Sequence, residues 1–235
     1  MIAVFVNVAT VIIGSTIGII FRNKIKQQYL TSVIYAIGLV TLVIGVMSAV
    51  ETASILTVII CLALGTLLGE VVRIDDRIEN AGDFIKDRLF KNGGESRFTE
   101  GFVSASVLFC VGSMTIMGSL EAGINNDYSI IFAKSTLDLV SSLVYGAAMG
   151  IDVTFAAAFV LVFQGALTLL SGAVQPFLTE AVVTEMSAVG GVILLGQGLN
   201  MLNVTKERIK VANMLPGIFL PVLYMPVSGW IAGLL

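Results

Sequence analysis

Residues 31–50 read Thr-Ser-Val-Ile-Tyr-Ala-Ile-Gly-Leu-Val-Thr-Leu-Val-Ile-Gly-Val-Met-Ser-Ala-Val, twenty consecutive positions without a charge. A helix of roughly 20 apolar residues matches the ~30 Å hydrocarbon core of a bilayer. Inside a bilayer the backbone has no water to bond, so such a run must satisfy itself as a helix. The same pattern recurs on both sides of this stretch. Candidate spans lie near 2–21, 31–50, 54–72, 100–120, 129–149, 153–174, 184–203 and 212–234. The reading is an all-α polytopic membrane protein of about eight transmembrane helices, with 1–235 forming a single membrane domain. Composition agrees. Hydrophobic residues make up 57% of the chain and charged residues 12%, about half the charged share of a soluble domain. Apolar surface in that excess must face lipid. The first run is not a signal peptide, because Arg22, Lys24 and Lys26 follow it rather than precede it.

Basic residues orient the spans. Arg22, Lys24 and Lys26 follow the first; Arg73, Arg77, Lys86, Arg88, Lys91 and Arg97 lie between the third and fourth; Lys206, Arg208 and Lys210 precede the eighth. With eight spans these 12 of the 13 basic residues share one side, which the positive-inside rule makes cytoplasmic. Both termini are then external. The opposite loops carry Glu51, Glu121, Asp127, Glu180 and Glu185. The longest connection, 73–99, repeats Ile74, Ile78, Ala81, Ile85 and Leu89 at three- and four-residue steps. That spacing predicts a cytoplasmic amphipathic helix lying in the membrane interface with its charges in water, ended by the turn Asn92-Gly93-Gly94.

Gly38-Leu39-Val40-Thr41-Leu42-Val43-Ile44-Gly45 is similar to Gly191-Val192-Ile193-Leu194-Leu195-Gly196-Gln197-Gly198. The match pairs span two with span seven, and by extension one with six and three with eight. Elements five spans apart cross in opposite directions. The expectation is an inverted repeat of spans 1–3 and 6–8 flanking spans 4–5, as in many secondary transporters. Glycine-rich apolar helices also match one another by coincidence.

Charge within the hydrocarbon is costly, and two residues carry it: Lys134 and Asp138, both in span five. Four residues apart, they lie on one helix face and can pair. Counted from Asp127, Asp138 is about 16 Å deep and Lys134 about 10 Å. The stripe continues through Ser141 and Tyr145, with Ser135 and Ser142 beside it. Gln164 in span six lies at the height of Asp138, and Ser113 and Thr115 in span four near that of Lys134. A salt bridge that fixes packing would account for the pair. So would a substrate or coupling-ion site, and intramembrane charge points to the latter. The candidate binding residues are Lys134, Asp138, Ser135, Ser141, Gln164 and Ser113. Asn7, Gln197 and Asn200 fit either a site or plain interhelical hydrogen bonds. In span eight, Pro216, Pro221 and Pro226 leave the carbonyls of Ala212, Gly217 and Val222 without helical donors, and broken helices line transporter sites.

Much is excluded. The chain has no histidine, which removes Ser-His-Asp and Cys-His chemistry and the commonest metal ligand. Cys61 and Cys110 lie in apolar runs and read as small packed hydrophobes. No phosphate loop is present, so ATP-driven pumping is not expected. A net charge of −3 without a basic patch argues against nucleic acid. No cofactor and no enzymatic activity are expected.

Thr99-Glu100-Gly101-Phe102, Leu108-Phe109-Cys110-Val111-Gly112-Ser113-Met114, Gly118-Ser119-Leu120, Lys134-Ser135-x-x-Asp138, Gly190-Gly191 and Asn213-x-Leu-Pro216 together resemble the YdfK/YqgA-like family of bacterial integral membrane proteins, a domain family of unknown function. The resemblance implies a bacterial plasma (inner) membrane location and a fold covering the whole chain. It supplies no substrate. The function expected from the residues is a secondary transporter or permease for a small polar solute or ion, with Lys134 meeting an anionic group and Asp138 holding Na⁺ or H⁺. An ion channel would instead carry ohmic current. A lipid-linked enzyme would need a second carboxylate beside Asp138. A non-transporting partner or assembly protein would be dry inside. The partners expected are the lipid bilayer and a small solute; a homo-oligomer is compatible with the sequence.

Overall fold

The computed structural model describes residues 1–22, 27–80, 98–110 and 112–232, and the described secondary structure is helical throughout. The long helices are α1 (Ile2–Arg22), α2 (Gln27–Ala49) and α3 (Ile55–Val72), then α4 (74–80), α5 (Phe98–Cys110), α6 (Ser113–Ile124), α7 (Ser129–Met149) and α8 (Asp152–Leu169). A short α9 (Ser171–Val174), α10 (Glu180–Met201), a 3-10 segment (Val211–Ile218) and α11 (Pro221–Ala232) complete the chain. Six helices are long and apolar enough to cross a bilayer, and α5 with α6, bent by 55°, forms a seventh candidate. Span eight, in which the prolines leave carbonyls without helical donors, is broken rather than continuous. A 3-10 segment and the 12-residue α11 replace it, each shorter than the roughly 20 residues a straight span needs. The prolines are the cause. Pro216 lies inside the 3-10 turn, and Pro221 starts α11, where its missing N–H costs nothing. The Gly217 carbonyl, expected to lack a partner, accepts from Leu220 N–H at 3.3 Å.

Glycines set how the helices meet. A Cβ at Gly14 would strike the Ser142 hydroxyl and the Leu139 carbonyl, one at Gly18 the Leu143 carbonyl, and one at Gly146 the backbone of Ser15. Gly14-x-x-x-Gly18 therefore lets α1 lie backbone to backbone along α7, as small residues do in membranes. Numbers rise together along this interface, so the two helices run parallel. α2 packs antiparallel on α10, with Gly45 against Gly191 and Gly38 against Met201 and Leu202. α3 packs antiparallel on the 3-10 segment, with Gly65 against Gly217 and Gly69 against Asn213. α10 is the centre of the bundle: 72% of its spanning window is buried, against 22% for α2. Outward positions such as Ile13, Leu39, Leu67, Val140 and Val162 are exposed, as lipid contact requires.

The 73–99 connection differs from its expected form. Ile74 and Ile78 on α4 do pack on the core, and 81–97 lies outside the described residues. Asp75, expected among the solvated charges, is fully buried. Its backbone N–H donates to Asn213 Oδ1 at 2.8 Å, and its carboxylate accepts from Arg208. The chain after α10 folds back over α4, so this end of the helix is covered by protein rather than lying open on the membrane surface. Lys210 bonds Asp76 at 3.1 Å, and Asn200 grips both the N–H and C=O of Ile209 at 2.9 and 2.8 Å. Burial pushes the Asp75 carboxyl above the usual carboxylate range, with Arg208 and the Ala212 N–H acting against it.

Candidate functional site

Lys134 and Asp138 face inward because α7 buries Ile131, Lys134, Ser135, Asp138, Ser142 and Tyr145 at three- and four-residue steps. Asp127 starts this helix, accepting from the backbone N–H and hydroxyl of Ser129 at 2.9 and 2.6 Å. Those bonds hold the Asp127 carboxyl below the usual carboxylate range. Within the helix the Lys134 ammonium donates to Asp138 Oδ2, and the two side chains are 6% and 8% exposed.

Three other helices face the pair. From α5, the Phe109 ring centroid lies 5.9 Å from the Lys134 Nζ, and Cys110 is within electrostatic range of both charges. From α1, the fully buried Asn7 reaches the Asp138 carboxylate. From α8 comes Gln164, also fully buried; its Oε1 accepts from Asn7 Nδ2 at 3.1 Å. The Gln164 Nε2 has no hydrogen-bond partner among the described residues. A polar seam continues along α1: Thr10 bonds the Asn7 carbonyl at 2.7 Å, Ser142 approaches the Thr10 carbonyl at 3.5 Å, and Thr154 bonds Ser15 at 2.9 Å. Tyr145 bonds Thr41 of α2 below it.

The structure thus brings Lys134, Asp138 and Gln164 together, with Asn7 as the link. Ser135 is buried but bonds the Ile131 carbonyl of its own helix at 2.7 Å. Ser141 is half-buried, while Ser142 is the serine turned into the α1 interface. The Ser113 side chain lies outside the described residues. The proline segment meets α3 rather than the pair. Asn7 ranked behind these residues in the sequence because a lone amide in an apolar helix has many uses. Its step of seven to Gly14, on the face that packs on α7, is the signal that places it.

Thr115 bonds the Phe109 carbonyl at 2.8 Å. This bond spans the break between α5 and α6, beside the pair. A further buried carboxylate is Glu185, beside the 52–54 connection. Grouped with the outer loops by the charge pattern, it lies inside α10. It accepts from Thr52 Oγ1 at 2.7 Å and from the N–H groups of Ala53 and Ser54 at 2.8 and 3.2 Å. These free donors precede α3, and a carboxylate at a helix N-terminus is favourable. Among the described residues no group of three or more acidic or cysteine side chains could hold a metal. Cys61 and Cys110 are free and buried, as read. Two cavities, one of about 30 Å³ and one of about 250 Å³, are lined by neither Lys134 nor Asp138.

Fold and site together define a polytopic helical membrane protein with an ion pair and two amides buried among four helices. Residues 2–226 match the family described as "Protein of unknown function (DUF554)", and the chain belongs to that family. It is 28% identical to "Uncharacterized membrane protein YdfK" of Bacillus subtilis (strain 168) over 92% of this chain and 91% of that one. It is 28% identical to "Uncharacterized protein YqgA" of Escherichia coli (strain K12) over 97% of each chain. No solved structure matches.

Proposed function

We propose that this protein is a secondary transporter of a small polar solute or ion, bound between α1, α5, α7 and α8 at Lys134 and Asp138. The observation that carries the reading is the buried pair joined through Asn7 to Gln164. A bilayer protein gains little from charge at this depth unless the charge meets a ligand or a coupling ion. The bent α5–α6 span beside it supports the reading, since interrupted helices border transporter sites.

The inverted repeat belongs to the same proposal. A shift of 153 positions takes Gly38 to Gly191 and Gly45 to Gly198. The same shift takes Ser48 and Ala49 to Met201 and Leu202. Gly191 contacts Ser48 and Ala49, and Gly38 contacts Met201 and Leu202, so the contacts of one glycine map onto those of the other. That is the behaviour of two helices related by a two-fold axis. The antiparallel pairs α2–α10 and α3 with the 3-10 segment support it, as do Asn7–Gln164 and Ser15–Thr154 between α1 and α8. A bacterial inner-membrane location with external termini, and no catalysis, complete the proposal.

Uptake into proteoliposomes tests it. Saturable flux that Asp138→Asn or Gln164→Leu alters in folded protein is the expected result. Ohmic current would make the protein a channel. Absence of any flux from folded protein would leave the pair as a packing device and end the reading.

A further inference from the structure

Resting on that reading, we propose that the ligand is a small monovalent anion that crosses together with one proton. The argument is one of unused hydrogen-bonding capacity and of charge balance. Two oxygens beside the pair are engaged: Asp138 Oδ2 accepts from Lys134, and Gln164 Oε1 accepts from Asn7. What remains unspent is donor capacity. The Gln164 Nε2 is buried without an acceptor among the described residues, and an ammonium carries three donors, of which Asp138 takes one. A buried donor without a partner is costly, and the Gln164 Nε2 is one that lacks an acceptor among the described residues. An anion supplies one, and a cation does not.

Charge balance fixes the rest. The empty site is neutral, with Lys134 positive and Asp138 negative. No other charge acts on Asp138 among the described residues: α1 and α8 present the neutral amides of Asn7 and Gln164, and the remaining titratable neighbour is the Cys110 thiol of α5. An anion entering alone would leave two negative charges against one positive in a buried place, which is costly. If Asp138 takes one proton from solution as the anion arrives, the ammonium transfers its pairing from carboxylate to anion and the site stays neutral. On the far side the anion leaves, Asp138 releases the proton, and the pair re-forms. One anion and one proton have moved, and no net charge has crossed.

The full chain in proteoliposomes with a pH-sensitive dye in the lumen provides the test. Valinomycin and potassium set the voltage, and chloride, nitrate and lactate serve as anion probes. Protein-free vesicles give the blank. An inward anion gradient should acidify the lumen, at a rate that changes less than about twofold between 0 and −100 mV. A carrier of one net charge would instead shift its equilibrium accumulation about fifty-fold over that range. Asp138→Asn should keep nitrate-for-chloride exchange but lose net acidification, because its site is neutral only when loaded. Anions should also raise its thermal midpoint more than that of the wild type. Gln164→Leu should weaken the apparent anion affinity about tenfold and leave the proton-to-anion ratio at one. That variant and the wild-type voltage series decide the matter even if Asp138→Asn fails to fold. Voltage-driven anion flux without acidification overturns the inference. So does lumenal alkalinisation under an inward sodium or potassium gradient, which is cation–proton exchange and leaves a transporter. Folded protein that moves neither the anions, the cations nor neutral solutes overturns this inference and the transporter reading together.

Discussion

Replacing Asp138 with asparagine keeps the shape of the side chain and removes its charge. The Lys134 ammonium is then left 6% exposed, with the Phe109 ring at 5.9 Å and amides as its remaining company. Breaking one side of a buried ion pair costs about 3–5 kcal/mol. A lone charge near the bilayer centre costs about 2.5–3.5 kcal/mol on insertion scales. Shedding the proton caps the penalty, because neutralising an ordinary lysine at pH 7.4 costs about 4 kcal/mol. The three routes converge on about 3–4 kcal/mol. For a chain of this size that corresponds to a thermal midpoint about 6–16 °C lower. The double variant Lys134→Met, Asp138→Leu removes both charges and fills similar volume, so it should return to within about 1 kcal/mol of the wild type while losing flux. The assay is thermal unfolding in detergent followed by size-exclusion chromatography, run in a buffer whose only anions are large and impermeant. Single variants within about 1 kcal/mol of the wild type would show that water reaches the pair and refute the burial argument. A double variant that still transports would show that the charges serve packing alone.

A Cβ at Gly69 would overlap the backbone of Asn213, so Gly69→Ala should destabilise by about 1–3 kcal/mol. Gly172→Ala, with nothing within 4 Å, should lie within about 0.5 kcal/mol of the wild type; equal thermal midpoints for the two would contradict the α3 packing. The folded Asp75 carboxyl titrates above its unfolded value, so its contribution is present at low pH and is lost as pH rises through the folded value. Asp75→Asn should flatten that slope in urea titrations run from pH 4 to 7, and an unchanged slope would assign it to other groups. Cysteine at Asn203 should be labelled by an impermeant maleimide only from the cytoplasmic side and cysteine at Asn125 only from outside. The native Cys61 and Cys110, both buried, should stay unlabelled; reversed accessibility would invert the proposed topology.

Most of the helical layout was legible in the chain itself. A bilayer forbids unsatisfied backbone, so each mostly apolar run of about 20 residues had to be largely helical, and α7 begins and ends at the bounds read for its run. The Lys134–Asp138 pair was equally legible, because a four-residue step on a helix fixes a shared face whatever lies around it. The partners of that face were not. Apolar residues surround α1 on all sides, so hydrophobicity alone did not single out the side bearing Asn7; the seating of Gly14 and Gly18 on α7 turns it toward Asp138. Asp75 and Glu185 read as solvated because charge usually is, yet chain folding back over one helix end and free N–H groups before another gave them buried partners. The bend at Gly112 and the 3-10 path through Pro216 likewise depend on neighbours. A local sequence determines which backbone bonds are lost at such points, but only packing determines where the chain goes once they are gone.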